Sequence, residues 1–225
     1  MQTCRIYGII PVFRKGIKMK KEYILAVLFF GGLWGISEAA LGDGLYRANV
    51  PYASVPLTII GFVVLTLAGV YFPSKGTPTL IAALAMLYKF LNEPFFACHL
   101  LGIVLTGICY DLFFNVFRIR SRSLSAAAAA YLSYLSFAIT ITYVFRYEYW
   151  EQAGLLKLLS HVIIGGSIAA VGCVVFVPLS LRLGEKFKTK YGVPFKLRWE
   201  LAAGGASLVS LALWVFGIAA YLLGV

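Results

Sequence analysis

The sequence predicts an all-α fold: a polytopic membrane helix bundle of seven transmembrane helices with the N-terminus inside. Three observations predict it. Of 225 residues, 61% are hydrophobic and 13% charged, whereas a soluble domain runs near half apolar and a quarter charged. Charge-free stretches recur at the length of about 20 residues that crosses the hydrocarbon of a bilayer. The 20 Lys and Arg against 9 Asp and Glu gather in alternate connections, as cytoplasmic loops do. An ordinary soluble domain, a disordered chain and a disulfide-stapled miniprotein are all excluded by this composition.

Residues 1–22 form a basic N-terminal extension carrying Arg5, Arg14, Lys15, Lys18, Lys20 and Lys21. Met19, followed by Lys-Lys-Glu, reads like a natural start, which leaves residues 1–18 as an upstream extension or an interfacial segment. A cleaved signal peptide is the rival reading, but the apolar stretch is too long and no clear small-x-small site follows. A single transmembrane domain then covers 23–225. Its expected spans are Tyr23–Leu41, Val55–Phe72, Thr79–Leu91, Phe95–Phe117, Ser123–Phe145, Leu155–Leu181 and Leu201–Leu223. Punctuation ends them: Gly42, Pro73, and the cluster Arg118, Arg120 and Arg122. The sixth is long enough to tilt, and Pro178 bends its last turn. Thr79–Leu91 is short; a tilted span, a re-entrant piece and a buried helix all fit its length.

The basic residues arbitrate. With seven crossings and the N-terminus inside, 16 Lys and Arg fall on the cytoplasmic side and 3 outside, with Lys89 within a span. If Thr79–Leu91 does not cross, the division becomes 9 against 10 and the asymmetry vanishes. Positive-inside bias therefore favours seven crossings with the C-terminus outside. The expected location is the plasma membrane of a prokaryotic cell.

Small residues let helices approach closely in lipid. Gly31, Gly35 and Ala39 form such a stripe on the first span, and Gly165, Gly166, Ser167, Ala169, Ala170 and Gly172 another on the sixth. Internal packing is the plainer reading; a face towards a partner subunit is the sharper one. The loop over 182–199 mixes six basic residues with Phe187, Tyr191, Phe195 and Trp199. Between two spans, contact with the anionic headgroups of the lipid bilayer explains it better than nucleic acid does. Cys4, Cys98, Cys109 and Cys173 show no C-x-x-C spacing. Cys98 and Cys109 lie about 16 Å apart along one helix, too far to pair.

Ionisable groups inside a span are costly, so each marks a functional hypothesis. Here they are Glu38, Lys89, His99, Asp111 and His161. The orientation places Glu38 about one turn from the external end of its span, and His99 and His161 about 6–10 Å below the external surface. Lys89 and Glu93 share the external end of the third span, where they stand at i,i+4 and suit a local ion pair. Asp111 lies towards the cytoplasm, within reach of Arg118 or Arg120. External connections around Tyr46, Asn92, Glu93, Tyr147 and Trp150 are rich in aromatic and polar groups. An interfacial aromatic belt accounts for part of this, but not for its coincidence with Glu38, His99 and His161. Apolar walls with a few convergent polar groups describe a small-molecule pocket. Its expected ligand-binding residues are Glu38, Tyr46, Lys89, Asn92, Glu93, His99, Tyr147, Trp150 and His161. Setting Lys89 against Glu93, and Arg146 with Lys157 against Glu148 with Glu151, leaves Glu38 over. That balance suits a neutral or weakly cationic planar ligand.

The run Gly31-Gly-Leu-Trp-Gly-Ile-Ser-Glu-Ala-Ala-Leu-Gly42, with Pro73-Ser-Lys-Gly-Thr77 opening the third span, resembles the substrate-binding S components of energy-coupling-factor vitamin transporters. The resemblance covers roughly residues 23–181. It implies a six-helix, N-terminus-inside core whose pocket opens outwards, lined by the first, third and fifth connections; the helix over 200–225 departs from that pattern as an addition. It also implies that Gly31, Gly35 and Ala39 contact a membrane coupling subunit driven by two ATPases, and that the substrate is a vitamin, a precursor or a transition-metal ion.

The leading expectation is thus a non-enzymatic, solute-binding subunit for uptake of a small organic micronutrient, with no cofactor and no resident metal. Neither a Walker A loop nor H-E-x-x-H occurs in the sequence. Two alternatives stand beside it. His99 and His161, on different helices at similar depth, suit a haem or other redox centre. A non-catalytic structural subunit of a larger membrane complex would use the small-residue stripes as interfaces. A light-driven pump is disfavoured because the last span has no Lys for a Schiff base.

Overall fold

The computed structural model describes residues 21–91 and 97–190. Among them the chain is helical throughout, with no strand. Helix α1 covers Lys21–Arg47 and α2 Ser54–Tyr71. Helix α3, Thr77–Leu87, is prolonged by a 3-10 turn over Tyr88–Leu91. Helix α4, Ala97–Asp111, winds on as a π-helical turn over Leu112–Val116. Helix α5, Arg122–Ile139, ends likewise over Thr140–Val144. A short α6, Glu148–Gln152, leads into α7, Gly154–Lys190, which contains a π-helical stretch over Ser160–Gly165. The expected seventh span and the N-terminal extension up to Lys20 lie outside the described residues.

Local sequence explains the boundaries. Pro56 sits in the first turn of α2, where its missing N–H removes only a donor that has no helical partner. Gly76 precedes α3 with φ +82°, a left-handed conformation that side chains disfavour, and Pro78 follows in the first turn. The Ser121 hydroxyl accepts the Leu124 amide at 3.3 Å and caps α5.

Among the described residues four helices are long and apolar enough to cross a membrane: Ser54–Tyr71, Cys98–Val116, Arg122–Val144 and Gly154–Lys190. The distribution of side-chain size fits a lipid surround. Leu156, Val171 and Val175 of α7 are exposed, at 83%, 67% and 57%. Inside, Ala82, Ala85, Ala126, Ala129, Ala130, Ala138 and Ala169 are fully buried, around the larger Trp34, Phe62 and Leu65. A helix apolar on both faces, packed through its small residues, is the membrane pattern.

Helix α3 is the shortest of the long elements. Thr77–Phe90 is a shorter apolar helix, yet it joins the two ends of the bundle. At its start, the Gly76 amide donates to Asp111 Oδ2 at the end of α4, at 2.8 Å. At its finish, Lys89 reaches Glu38 near the end of α1. Lys188 near the end of α7 donates to the Val70 carbonyl at 2.7 Å, so the end of α2 joins the Asp111 end as well.

Two expectations change here. Asp111 is not satisfied by Arg118 or Arg120: it accepts the Gly76 amide and, through Oδ1, the Asn115 side-chain amide at 2.7 Å. The carboxylate is therefore a clasp holding the α2–α3 turn onto α4. The α1 stripe is also used internally. A Cβ on Gly31 would lie 2.6 Å from Leu84 Cδ2, and one on Gly35 would collide with the Tyr88 ring. Those two glycines face α3 and are covered by it, which removes them as contacts for a coupling subunit. Ala39, the third member, is half-buried.

Candidate functional site

At the end of the bundle away from Asp111 a cavity of about 90 Å³ opens among α1, α2, α4, α5 and α7. Glu38, Tyr46, His99 and His161 all line it. Four residues picked out from separate stretches of sequence thus share one space.

Its α1 wall is a buried charge pair. Trp34 Nε1 donates to Glu38 Oε1 at 3.2 Å, one helical turn back. Lys89, from the 3-10 turn after α3, donates to the Glu38 main-chain oxygen at 2.7 Å and lies 3.4 Å from Oε2. Glu38 and Lys89 are 6% and 3% exposed, and either charge alone at that depth would be strongly unfavourable. Gly42 makes the approach feasible, since a Cβ there would stand 2.7 Å from the ammonium.

Lys89 therefore stands behind Glu38, outside the cavity lining. From the 3-10 turn it reaches across to α1 and answers Glu38; the expected local pair with Glu93 falls outside the described residues. Glu38 is consequently not left over, so of the neutral or weakly cationic planar ligand expected from the charge balance, the cationic half loses its support. Asn92 and Glu93 themselves lie outside the described residues. At the mouth, Asp43 pairs with Arg47 at 2.8 Å. Lys157 lies over the Tyr149 ring, 5.7 Å from its centroid, and among the described residues no ion pair joins Arg146 or Lys157 to Glu148 or Glu151.

Two histidine–tyrosine stacks build the walls. Tyr46 at the end of α1 stacks on His99 near the start of α4, with centroids 4.5 Å apart and planes at 18°. Tyr134 of α5 stacks on His161 of α7 at 4.7 Å and 27°. The π-helical stretch adds a residue to the turn of α7, and two successive side chains there find roles. Ser160 hydrogen-bonds Tyr52 of the α1–α2 connection at 3.2 Å, while His161 lines the cavity. Asn49 and Tyr52 in that connection both have left-handed backbone, with φ 52° and 55°.

Trp150 and Tyr147 are placed differently from expectation. Trp150 is buried and packs edge-on behind His161, with centroids 5.1 Å apart and planes at 82°, and also against Phe137. It buttresses the histidine and does not line the cavity. Tyr147 is exposed, and its carbonyl accepts the Trp150 amide at 2.8 Å to start α6. Both residues come from a connection that folds as a support, so neither offers a direct contact to a molecule in the cavity.

The sequence reading missed the hydroxyl lining. The Tyr134 hydroxyl donates to Ser54 Oγ at 3.2 Å and accepts from Thr58 Oγ1 at 3.5 Å. Thr106 and Ser133 also line the cavity, and each donates its own proton back to its helix: Thr106 to the Gly102 carbonyl at 2.8 Å, Ser133 to the Ala130 carbonyl at 2.7 Å. Ser54 and Thr58, four apart, and His99, Gly102 and Thr106, spaced as one helix face, were the available signals. Trp34 at i,i+4 to Glu38 was another.

Among the described residues no cluster of three His, Cys, Asp or Glu is arranged to hold a metal ion. Comparison of the chain with protein-family models, with curated proteins and with solved structures finds no match.

Proposed function

We propose that this chain is an integral membrane, substrate-binding subunit that captures a small organic micronutrient from outside the cell and delivers it with ATPase-driven partners. The single observation that carries the reading is the cavity in which Glu38, Tyr46, His99 and His161 meet. Isolated polar groups in apolar helices have many uses; four of them, from α1, α4 and α7, around one open space are a binding site in form.

Charge supports the direction. At the Asp111 end the helices and turns carry Lys75, Arg118, Arg120, Arg122, Arg182, Lys186, Lys188 and Lys190. At the cavity end stand Arg47, Arg146 and Lys157. Positive-inside bias turns the cavity outwards and the basic end to the cytoplasm, in seven crossings with α3 as a short tilted span. The protein itself needs no bond-breaking chemistry in this reading: it binds, and partners supply the energy. The S-component likeness of the α1 run adds the class of those partners, a membrane coupling subunit and two ATPases. With Gly31 and Gly35 covered by α3, their docking surface lies elsewhere on the chain.

Native mass spectrometry of the detergent-purified protein tests this. The expected result is a small organic molecule retained at about one per chain and lost on His161→Phe. An empty cavity together with fixed-stoichiometry co-purification of proteins that are not ATPases would overturn the reading in favour of a structural subunit. A Soret band after haem supplementation would overturn it in favour of a redox protein.

A further inference from the structure

We infer that the cavity selects an uncharged, planar nitrogen heterocycle bearing N–H donors, an amino- or amide-substituted ring. The inference rests on the capture reading above and adds the chemical class of what is captured. Three observations on the lining carry it.

The first is charge. Among the described lining residues the one carboxylate, Glu38, is already answered by Lys89 on both its main-chain oxygen and its carboxylate. A carboxylate or phosphate on the ligand would find no uncommitted cation there. A cationic ligand would have to compete with a buried ammonium that is already in place. Bringing either charge into an apolar, balanced site costs desolvation that nothing in the lining returns.

The second is hydrogen-bond polarity. Thr106 and Ser133 direct their hydroxyl protons at their own helices, so only oxygen lone pairs remain for the cavity. Glu38 keeps acceptor capacity beyond its bonds to Trp34 and Lys89. Three acceptors facing one space call for a ligand that donates. The His161 imidazole lines the cavity and makes no hydrogen bond among the described residues. A neutral imidazole offers one donor and one acceptor, which match the mixed edge of a nitrogen heterocycle.

The third is shape. Tyr46 with His99, Tyr134 with His161, and Phe137 present flat aromatic groups to the cavity. Aromatic walls reward a planar ligand over an aliphatic one of equal size.

Binding of three ring-matched probes to the full chain in detergent, measured by calorimetry, tests the inference: nicotinamide (uncharged), nicotinate (anionic) and 1-methylnicotinamide (cationic). Adenine and cytosine extend the uncharged set. Any molecule retained through purification is identified by extraction and mass spectrometry. The expected result is a retained uncharged N–H heterocycle, or uncharged probes binding at least about tenfold tighter than both charged ones. Thr106→Val, which keeps shape and removes the acceptor, should weaken that binding about tenfold with an unchanged melting temperature. A retained molecule that is charged, aliphatic or without N–H donors would overturn the inference while leaving capture standing, as would tighter binding of either charged probe. No retained molecule and no binding by any probe would overturn capture itself, and this inference with it.

Discussion

The ammonium of Lys89 lies 2.7 Å from the main-chain oxygen of Glu38 and 3.4 Å from its carboxylate, so one cation from the end of α3 answers two acceptors of a single α1 residue. The bond fixes the end of a short helix to the wall of the cavity. It also sets the site's charge, because Glu38 enters the lining as half of a neutral pair.

Lys89→Met should therefore destabilise the protein by about 3–5 kcal/mol, the cost of leaving one buried charge unpaired. Lys89→Met combined with Glu38→Gln should recover most of that loss, because neither charge then remains. Thermal unfolding in detergent measures both, and equal melting temperatures for the single and double variants would contradict the pairing. Gly42→Ala acts on the same bond from the other side, since its new Cβ would stand 2.7 Å from the ammonium. Its effect should shrink when Lys89 is already Met, as expected for residues that share one interaction.

What the sequence disclosed about this site depended on cost. Glu38, His99 and His161 are expensive in apolar helices, and helical rise alone gave their depth, so their meeting at one end was legible before any coordinates. Lys89 was legible as a buried cation but not as the partner of Glu38, because the 3-10 turn decides which way its side chain leaves α3. Ser133 was invisible for the opposite reason, and Thr106 showed only through its helix-face spacing from His99: a hydroxyl that bonds back to its own helix costs little in an apolar span. Nor did any residue pattern announce the π-helical turns over Leu112–Val116, Thr140–Val144 and Ser160–Gly165. The four long apolar helices were plain from composition, whereas the ability of α3 to join both ends with so few residues emerged only from its contacts with Asp111 and Glu38.

Gly31 distinguishes internal packing from an external interface. A side chain at this position meets Leu84 of α3 at once. Gly31→Ile should force α1 from α3 and cost about 1–3 kcal/mol of stability or more, as overpacking does. The isolated chain in detergent would show it as a lowered melting temperature. An unchanged melting temperature with loss of an associated protein would instead return the stripe to the role of a partner interface.

Asp111 and Arg118 are separable in the same way. Asp111→Leu leaves the Gly76 amide without its acceptor and releases the α2–α3 turn, at a cost of about 1–3 kcal/mol. Arg118→Ala should change stability by less than about 0.5 kcal/mol, since among the described residues that exposed side chain bonds only the Asn115 carbonyl. Hydrogen exchange reads the clasp directly: the Gly76 amide should lose protection in Asp111→Leu and keep it in Arg118→Ala. Matching losses in both variants would show that the arginine, after all, holds the carboxylate.

His161 and Trp150 stand in contact but should fail differently. In His161→Phe the new ring keeps the stack on Tyr134 and the edge contact with Trp150, so packing and melting temperature should hardly change. What disappears is the imidazole's donor and acceptor in the cavity, and retention of a bound molecule should fall about tenfold or more. Trp150→Ala removes a buried indole from the cluster with Phe137 and Ile141, so a stability loss of about 3–5 kcal/mol is expected. Its effect on binding should follow from the loosened His161, and a small aromatic added to fill the void should restore part of both. If Trp150→Ala instead abolished binding at full stability, the indole would have to touch the captured molecule itself, and the cavity would extend past His161 into the space that Trp150 now fills.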